Sequence, residues 1–226
     1  CDFHPFRLNT PTIQTDSLRP TGTVTPGDDW PSLRGPSGTR CAPATISARQ
    51  RPQLAWCRTL GGGFGATALT LAGGTLVATT MGHGRFDRCH AHALDAATGE
   101  SRWSLPLDGC AEGGMGLDVE AGVGHVGTSA GSLYCVELGP GEVRWRWNNR
   151  DNMPIACQPV VHDGLVHCGA NWEMYAVDAE RGQTVWRKIA TRDGFCYMGP
   201  GNASPLVVGD RVFHQRTFNA TARGQS

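Results

Sequence analysis

From about residue 52 onward short stretches rich in apolar residues are cut apart by glycine-centred turns. Ala156 to His162 and Leu165 to Ala170 are such runs, joined by Asp163-Gly164. Ser204 to Val208 turns at Gly209-Asp210 and continues as Arg211 to Phe218. Short runs rich in β-branched residues, bounded by Gly, Asp and Asn, predict strands and tight hairpins. The turn glycines supply the positive φ that such hairpins need.

These strands recur with a period. Three stretches align in register: Ala93-Leu94-Asp95-Ala96-Ala97-Thr98-Gly99-Glu100-Ser101-Arg102-Trp103, then Cys135-Val136-Glu137-Leu138-Gly139-Pro140-Gly141-Glu142-Val143-Arg144-Trp145, then Ala176-Val177-Asp178-Ala179-Glu180-Arg181-Gly182-Gln183-Thr184-Val185-Trp186. Their tryptophans lie 42 and then 41 residues apart. Each stretch predicts a strand ending at an acidic residue (Asp95, Glu137, Asp178), a turn through Gly99, Gly141 or Gly182, and a second strand carrying the Trp. Two further strands precede each hairpin. A repeat of this length suits a four-stranded blade, whose strands average about five or six residues. Trp56, in Pro52-Gln53-Leu54-Ala55-Trp56, reads as a lone outer strand.

The pattern A-x-D-x-x-T-G-x-x-x-W resembles the tryptophan-docking motif of quinoprotein (PQQ-like) β-propellers. The first copy carries all five letters. The third has Arg181 at the Thr place, and the second keeps only Gly141 and Trp145. The resemblance implies an all-β, partial β-propeller of four-stranded antiparallel blades. About three and a half blades of seven or eight are expected here, with the remaining blades in a longer parent chain. It implies structural roles for Trp103, Trp145 and Trp186, each buried between blades, where a large ring covers much apolar area and its N–H takes one partner. Residues 52–226 form the propeller on this reading. Residues 1–51 have no period; they read as a linker and lead-in segment, with the tail of an upstream domain as an alternative for the first few. Asp29-Trp30-Pro31-Ser32-Leu33-Arg34-Gly35-Pro36 resembles the segment that leads into such propellers.

Charge adds exclusions. Lys and Arg number 20, as do Asp and Glu, and no basic run exceeds two residues, which removes the electrostatic case for nucleic acid. No stretch of eighteen apolar residues predicts a membrane-spanning helix. Nine cysteines are many for a reduced cytosolic domain, and they point to an exported protein, periplasmic or at the cell surface. The odd count leaves at least one thiol without an intrachain partner. The chain starts at Cys1 rather than Met, which reads as processing or as a piece of a longer chain; a lipidated first residue is the sharper alternative.

In such a propeller the connections from outer to next inner strand share one face. That gathers candidate ligand groups: Asp108 after Trp103; Arg150, Asp151 and Asn152 after Trp145; Arg192 and Asp193 after Trp186. Acidic groups there suit a cation or polar ligand, while Asp and Asn more often serve turns by bonding their own backbone. His90 and His92 alternate onto one strand face with His83 nearby, a pair short of the usual metal ligand number. Asn202 and Asn219 stand in glycosylation sequons. No catalytic constellation is visible. The leading expectation is a non-catalytic scaffold or binding module of an exported bacterial protein, with another protein as partner and no cofactor. The alternatives are a fragment of a PQQ-dependent dehydrogenase, with PQQ and calcium, and a propeller appended to an upstream hydrolase. The adjacent cysteine pair of the resembling alcohol dehydrogenases does not occur here.

The propeller reading also predicts a disulfide. Cys89 precedes a third strand and Cys110 lies in the following connection, on the same face. Cys157 with Cys196, and Cys41 with Cys57, are weaker candidates; Cys135 and Cys168 read as buried strand residues.

Overall fold

A computed structural model describes residues 54–63, 69–82, 88–170, 173–189 and 204–213. These contain fourteen strands and no α-helix. Cys1, Cys41, His83, Arg192, Asp193, Cys196, Asn202 and Asn219 lie outside the described residues.

The strands group in chain order. Blade 1 is β1 (Thr70–Ala72), β2 (Thr75–Thr80), β3 (His90–Asp95) and β4 (Ser101–Pro106). Blade 2 is β5 (Met115–Asp118), β6 (Val123–Gly127), β7 (Ser132–Glu137) and β8 (Val143–Asn148). Blade 3 is β9 (Val160–His162), β10 (Leu165–Ala170), β11 (Glu173–Asp178) and β12 (Thr184–Ile189). Each is an antiparallel meander whose spatial order follows the sequence, and a two-stranded sheet, β13 (Leu206–Val208) and β14 (Arg211–Phe213), begins the next. The chain is thus all-β and a partial propeller, as the repeat predicts. The expected strand from Ala156 is shorter than read: it starts at Val160, because residues 155–158 pack as a connection against blade 2.

The middle strands of blade 2 are buried on both faces because a neighbouring blade covers each face. β7 shows how: alternate side chains of a strand point to opposite faces. Tyr134 and Val136 enter one core with Val77, Ala91, Met115 and Leu117 of blades 1 and 2. Leu133 enters the other with Ile155, Val166, Tyr175 and Val177 towards blade 3. Outer strands β4 and β8 alternate exposed and half-buried residues, as expected at a rim.

The blades approach most closely at their inner strands. A Cβ on Gly116 would stand 2.1 Å from the Pro159 carbonyl oxygen, and one on Gly113 would stand 2.2 Å from Cys157 backbone. Buried Gln158 spans three blades there: its Nε2 donates to Met115 O (3.0 Å), and its N–H donates to Ser204 Oγ (3.1 Å).

Candidate functional site

The repeated hairpin is built from a few side chains. In blade 1, Asp95 Oδ1 accepts the N–H groups of Ala97 (3.0 Å) and Thr98 (2.9 Å), closing the turn. Gly99 follows at φ 72°, Gly141 at 76° and Gly182 at 66°. The outer strand then carries a β-bulge, opposite Ala93/Leu94, Cys135/Val136 and Ala176/Val177 in the three blades. The extra residue in the first two is an arginine, and it swings onto the acidic residue that ended the previous strand. Arg102 meets Asp95 at 2.8 Å and Arg144 meets Glu137 at 3.2 Å. Blade 3 has Val185 at the bulge, and the cation comes instead from Arg181 in the turn, at 3.8 Å from Asp178. The Thr-to-Arg departure from the pattern is therefore matched by the missing bulge arginine. The bond from Arg102, then the Thr98 and Ala97 N–H groups, hold the Asp95 carboxyl down to about 2.

Each blade's glycine receives the tryptophan of the blade before it. Trp103 Nε1 donates to Leu138 O (2.8 Å) and Trp145 Nε1 to Ala179 O (2.9 Å). Trp56 does the same to Ala96 O (3.0 Å). A Cβ on Gly141 would stand 2.5 Å from the Trp103 ring; the corresponding figures are 2.6 Å for Gly99 against Trp56 and 2.7 Å for Gly182 against Trp145. Trp103, Trp145 and Trp186 are half-buried rather than buried, since they sit on the outer strands. Trp145 and Trp186 rest on histidines of the same sheet, His125 (5.5 Å between centroids) and His167 (5.8 Å). Val77 holds the matching place beneath Trp103.

The loop-bearing face carries the expected polar residues, with divided roles. Asp108 faces inward. Its Oδ1 accepts from Thr128 Oγ1 (2.8 Å), and its Oδ2 accepts from Ser132 Oγ (2.5 Å) and the Arg146 guanidinium (2.5 Å). Arg146 also lies 5.3 Å from the centre of the Tyr134 ring. Oδ2 of Asp108 is thus paired with a cation of the chain itself, Arg146. Among the described residues no three His, Cys, Asp or Glu side chains are grouped to hold a metal. Arg150 and Asp151 are exposed and 3.9 Å apart. Asn152 adopts φ 49° and its N–H bonds Asn149 O (3.2 Å), a turn role.

His90 and His92 do share a face of β3, stacked at 5.6 Å. His92 Nε2 lies 3.2 Å from Thr80 Oγ1, and burial, with help from His90, lowers it from 6.5 to about 4. Burial pushes the Cys135 and Cys157 thiols up to about 11. Cys89 Sγ and Cys110 Sγ are 3.2 Å apart.

Sequence reading missed the arginine at the bulge and the histidine beneath the Trp. The first had a signal, an acidic residue seven places before an arginine in two copies. The second had little, because Val77, His125 and His167 share only position.

Residues 88–223 match the family described as outer membrane protein assembly factor BamB. This chain belongs to that family. The BamB of Moraxella catarrhalis is similar in structure, with a TM-score of 0.54 and 19% identity over 66% of this chain and 46% of that one. The quinohemoprotein alcohol dehydrogenase of Comamonas testosteroni is similar at a TM-score of 0.57 and 21% identity, covering 73% of this chain and 28% of that one. Both likenesses concern the fold. In sequence, the serine/threonine-protein kinase AfsK of Streptomyces griseus is 37% identical over 107 residues, 44% of this chain and 13% of the kinase. This BamB-family chain therefore spans under half the length of each of these relatives.

Proposed function

We propose that this chain is a non-catalytic propeller scaffold, residues 52–226 with a lead-in over residues 1–51, that binds another protein in the periplasm or at the cell surface. The observation that carries the reading is the division of labour on the loop-bearing face. Asp108, the acidic group best placed for a ligand, is consumed by Thr128, Ser132 and Arg146. Arg150 and Asp151 stand outward on a connection fixed at both ends, with Asn149 N–H on Gly131 O (3.0 Å) and Ile155 N–H on Thr128 O (2.9 Å). An exposed charged pair on a rigid frame suits a polar protein contact, where such groups set register and encounter rate. The kinase relative supports the reading, since a stretch 37% identical to this one there forms part of a protein named for different chemistry.

The test is a photo-crosslinker placed at Asp151 of the intact protein in its native cells, with Glu180 on the opposite end of blade 3 as control. A discrete protein adduct at residue 151, abolished by Arg150→Glu, is expected. Equal adducts at both positions, a cytoplasmic location on fractionation, or PQQ- and calcium-dependent dye reduction with alcohols would overturn the proposal.

A further inference from the structure

We propose that Cys89 and Cys110 form an intramolecular disulfide that fastens the connection between blades 1 and 2 to the blade-1 loop beside it. The sulfurs are 3.2 Å apart, against about 2.05 Å in a disulfide bond, so a small rotation of the side chains joins them. Their backbones are already held in this arrangement. Cys89 O accepts the Leu107 N–H (2.8 Å), which ties the start of β3 to the end of β4. The Cys110 N–H donates to Ser129 Oγ (2.9 Å), and Cys110 O accepts the Ser129 N–H (2.8 Å). The two strand ends therefore meet whether or not the bond forms, and the bond adds no new loop geometry.

Access sets the order of events. Cys89 is fully buried and Cys110 is partly exposed. The oxidant is a disulfide, small or carried by an oxidoreductase. Cys110 loses its proton and attacks one sulfur of that disulfide, and the other sulfur leaves as a thiolate and is protonated. Cys89 then gives up its proton and attacks the Cys110 sulfur, expelling the second thiol. Two S–H bonds of this chain become one S–S bond. Two electrons and two protons end on the oxidant, which is reduced to two thiols. Among the described residues Cys135, Cys157 and Cys168 compete poorly, since they are buried inside the blades and burial raises all three thiols.

The proposal is independent of where the protein works, because oxidation of the purified chain tests it. The intact protein is reduced, exposed to oxidised glutathione, alkylated and cut before aspartate. Residues 87–94 and 108–117 then leave as peptides with one cysteine each. The expected product is these two peptides joined, lighter by two hydrogens than their sum. The oxidised protein should melt about 5–10 °C above the reduced one, since a bond closing a loop of this size constrains the unfolded chain. Cys110→Ser should abolish that gain, and reversal by dithiothreitol in the unsubstituted protein gives the same comparison without a substitution. Recovery of both cysteines alkylated after oxidation, or of either joined to a different cysteine, would overturn the inference.

Discussion

Gly141 answers two demands at once. Its φ of 76° excludes most side chains, and a Cβ would meet the Trp103 ring at 2.5 Å. Gly164 has a similar φ of 69° with nothing within 4 Å of a Cβ. The two separate the causes. Gly164→Ala should cost about 1–2 kcal/mol, the left-handed backbone alone. Gly141→Ala should cost more, about 3 kcal/mol, because the ring must also leave its seat. Denaturant midpoints of the two variants check this, and equal losses would remove the ring from the argument. Sequence showed the turn demand, since Gly141 falls at the glycine place of the repeated hairpin. It hid the second demand, because the ring comes from about forty residues upstream. His125 was equally hidden. Burial, opposed by Asp118 and aided by Arg144, lowers its ring from 6.5 to about 4, so the fold holds it neutral. Below pH 6.5 the unfolded chain takes a proton that the folded chain refuses. Stability from this group is therefore full above about pH 6.5 and falls as pH drops towards 4, by about 3 kcal/mol in all. His125→Val, copying Val77, should flatten that part of the stability curve measured by urea denaturation at each pH.

The hairpin is the unit in which sequence and structure agree best. Strands β3, β7 and β11 end at Asp95, Glu137 and Asp178, the residues at which the repeat places their ends. Turn chemistry is local, so it is legible. The bulge that follows is also local, yet it left no mark beyond Arg102 and Arg144, whose charge pairs are exposed and interchangeable with Arg181. Exposed pairs of this kind contribute little, so Arg144→Ala should shift stability by less than about 1 kcal/mol. The outer-strand tryptophan is another matter. Trp145→Phe keeps most of the apolar contact and loses the bond to Ala179 O, costing about 1 kcal/mol. Trp145→Ala also empties the seat over Gly182 and should cost about 3 kcal/mol. Equilibrium unfolding of the intact propeller distinguishes the two, and similar losses would mean the ring itself packs against nothing of consequence.

At the scale of the molecule, the all-β class and the stacked blades were legible because the period is long and repeated. The fate of the loop-face residues was not. Asp108 and Asp151 look alike in sequence, and only the neighbours contributed by other strands turn one inward and leave the other exposed. Leu206, Val208 and Phe213 on one face of β13 and β14 are each more than half exposed. A contiguous apolar face of this kind promotes association. Leu206→Lys with Phe213→Lys should lower the self-association of this 226-residue stretch in sedimentation velocity. The hold of each Trp on the next blade's glycine has one more consequence. Donor, carbonyl acceptor and seat are the same at Trp56, Trp103 and Trp145, so each of these described junctions is made with interchangeable fittings. A tandem duplication of one repeat would bring its own Trp and its own Gly, dock on both sides and leave no junction mismatched. Blade number in such a chain is then open to change by gene-level copying, with ring closure rather than blade fit as the limit.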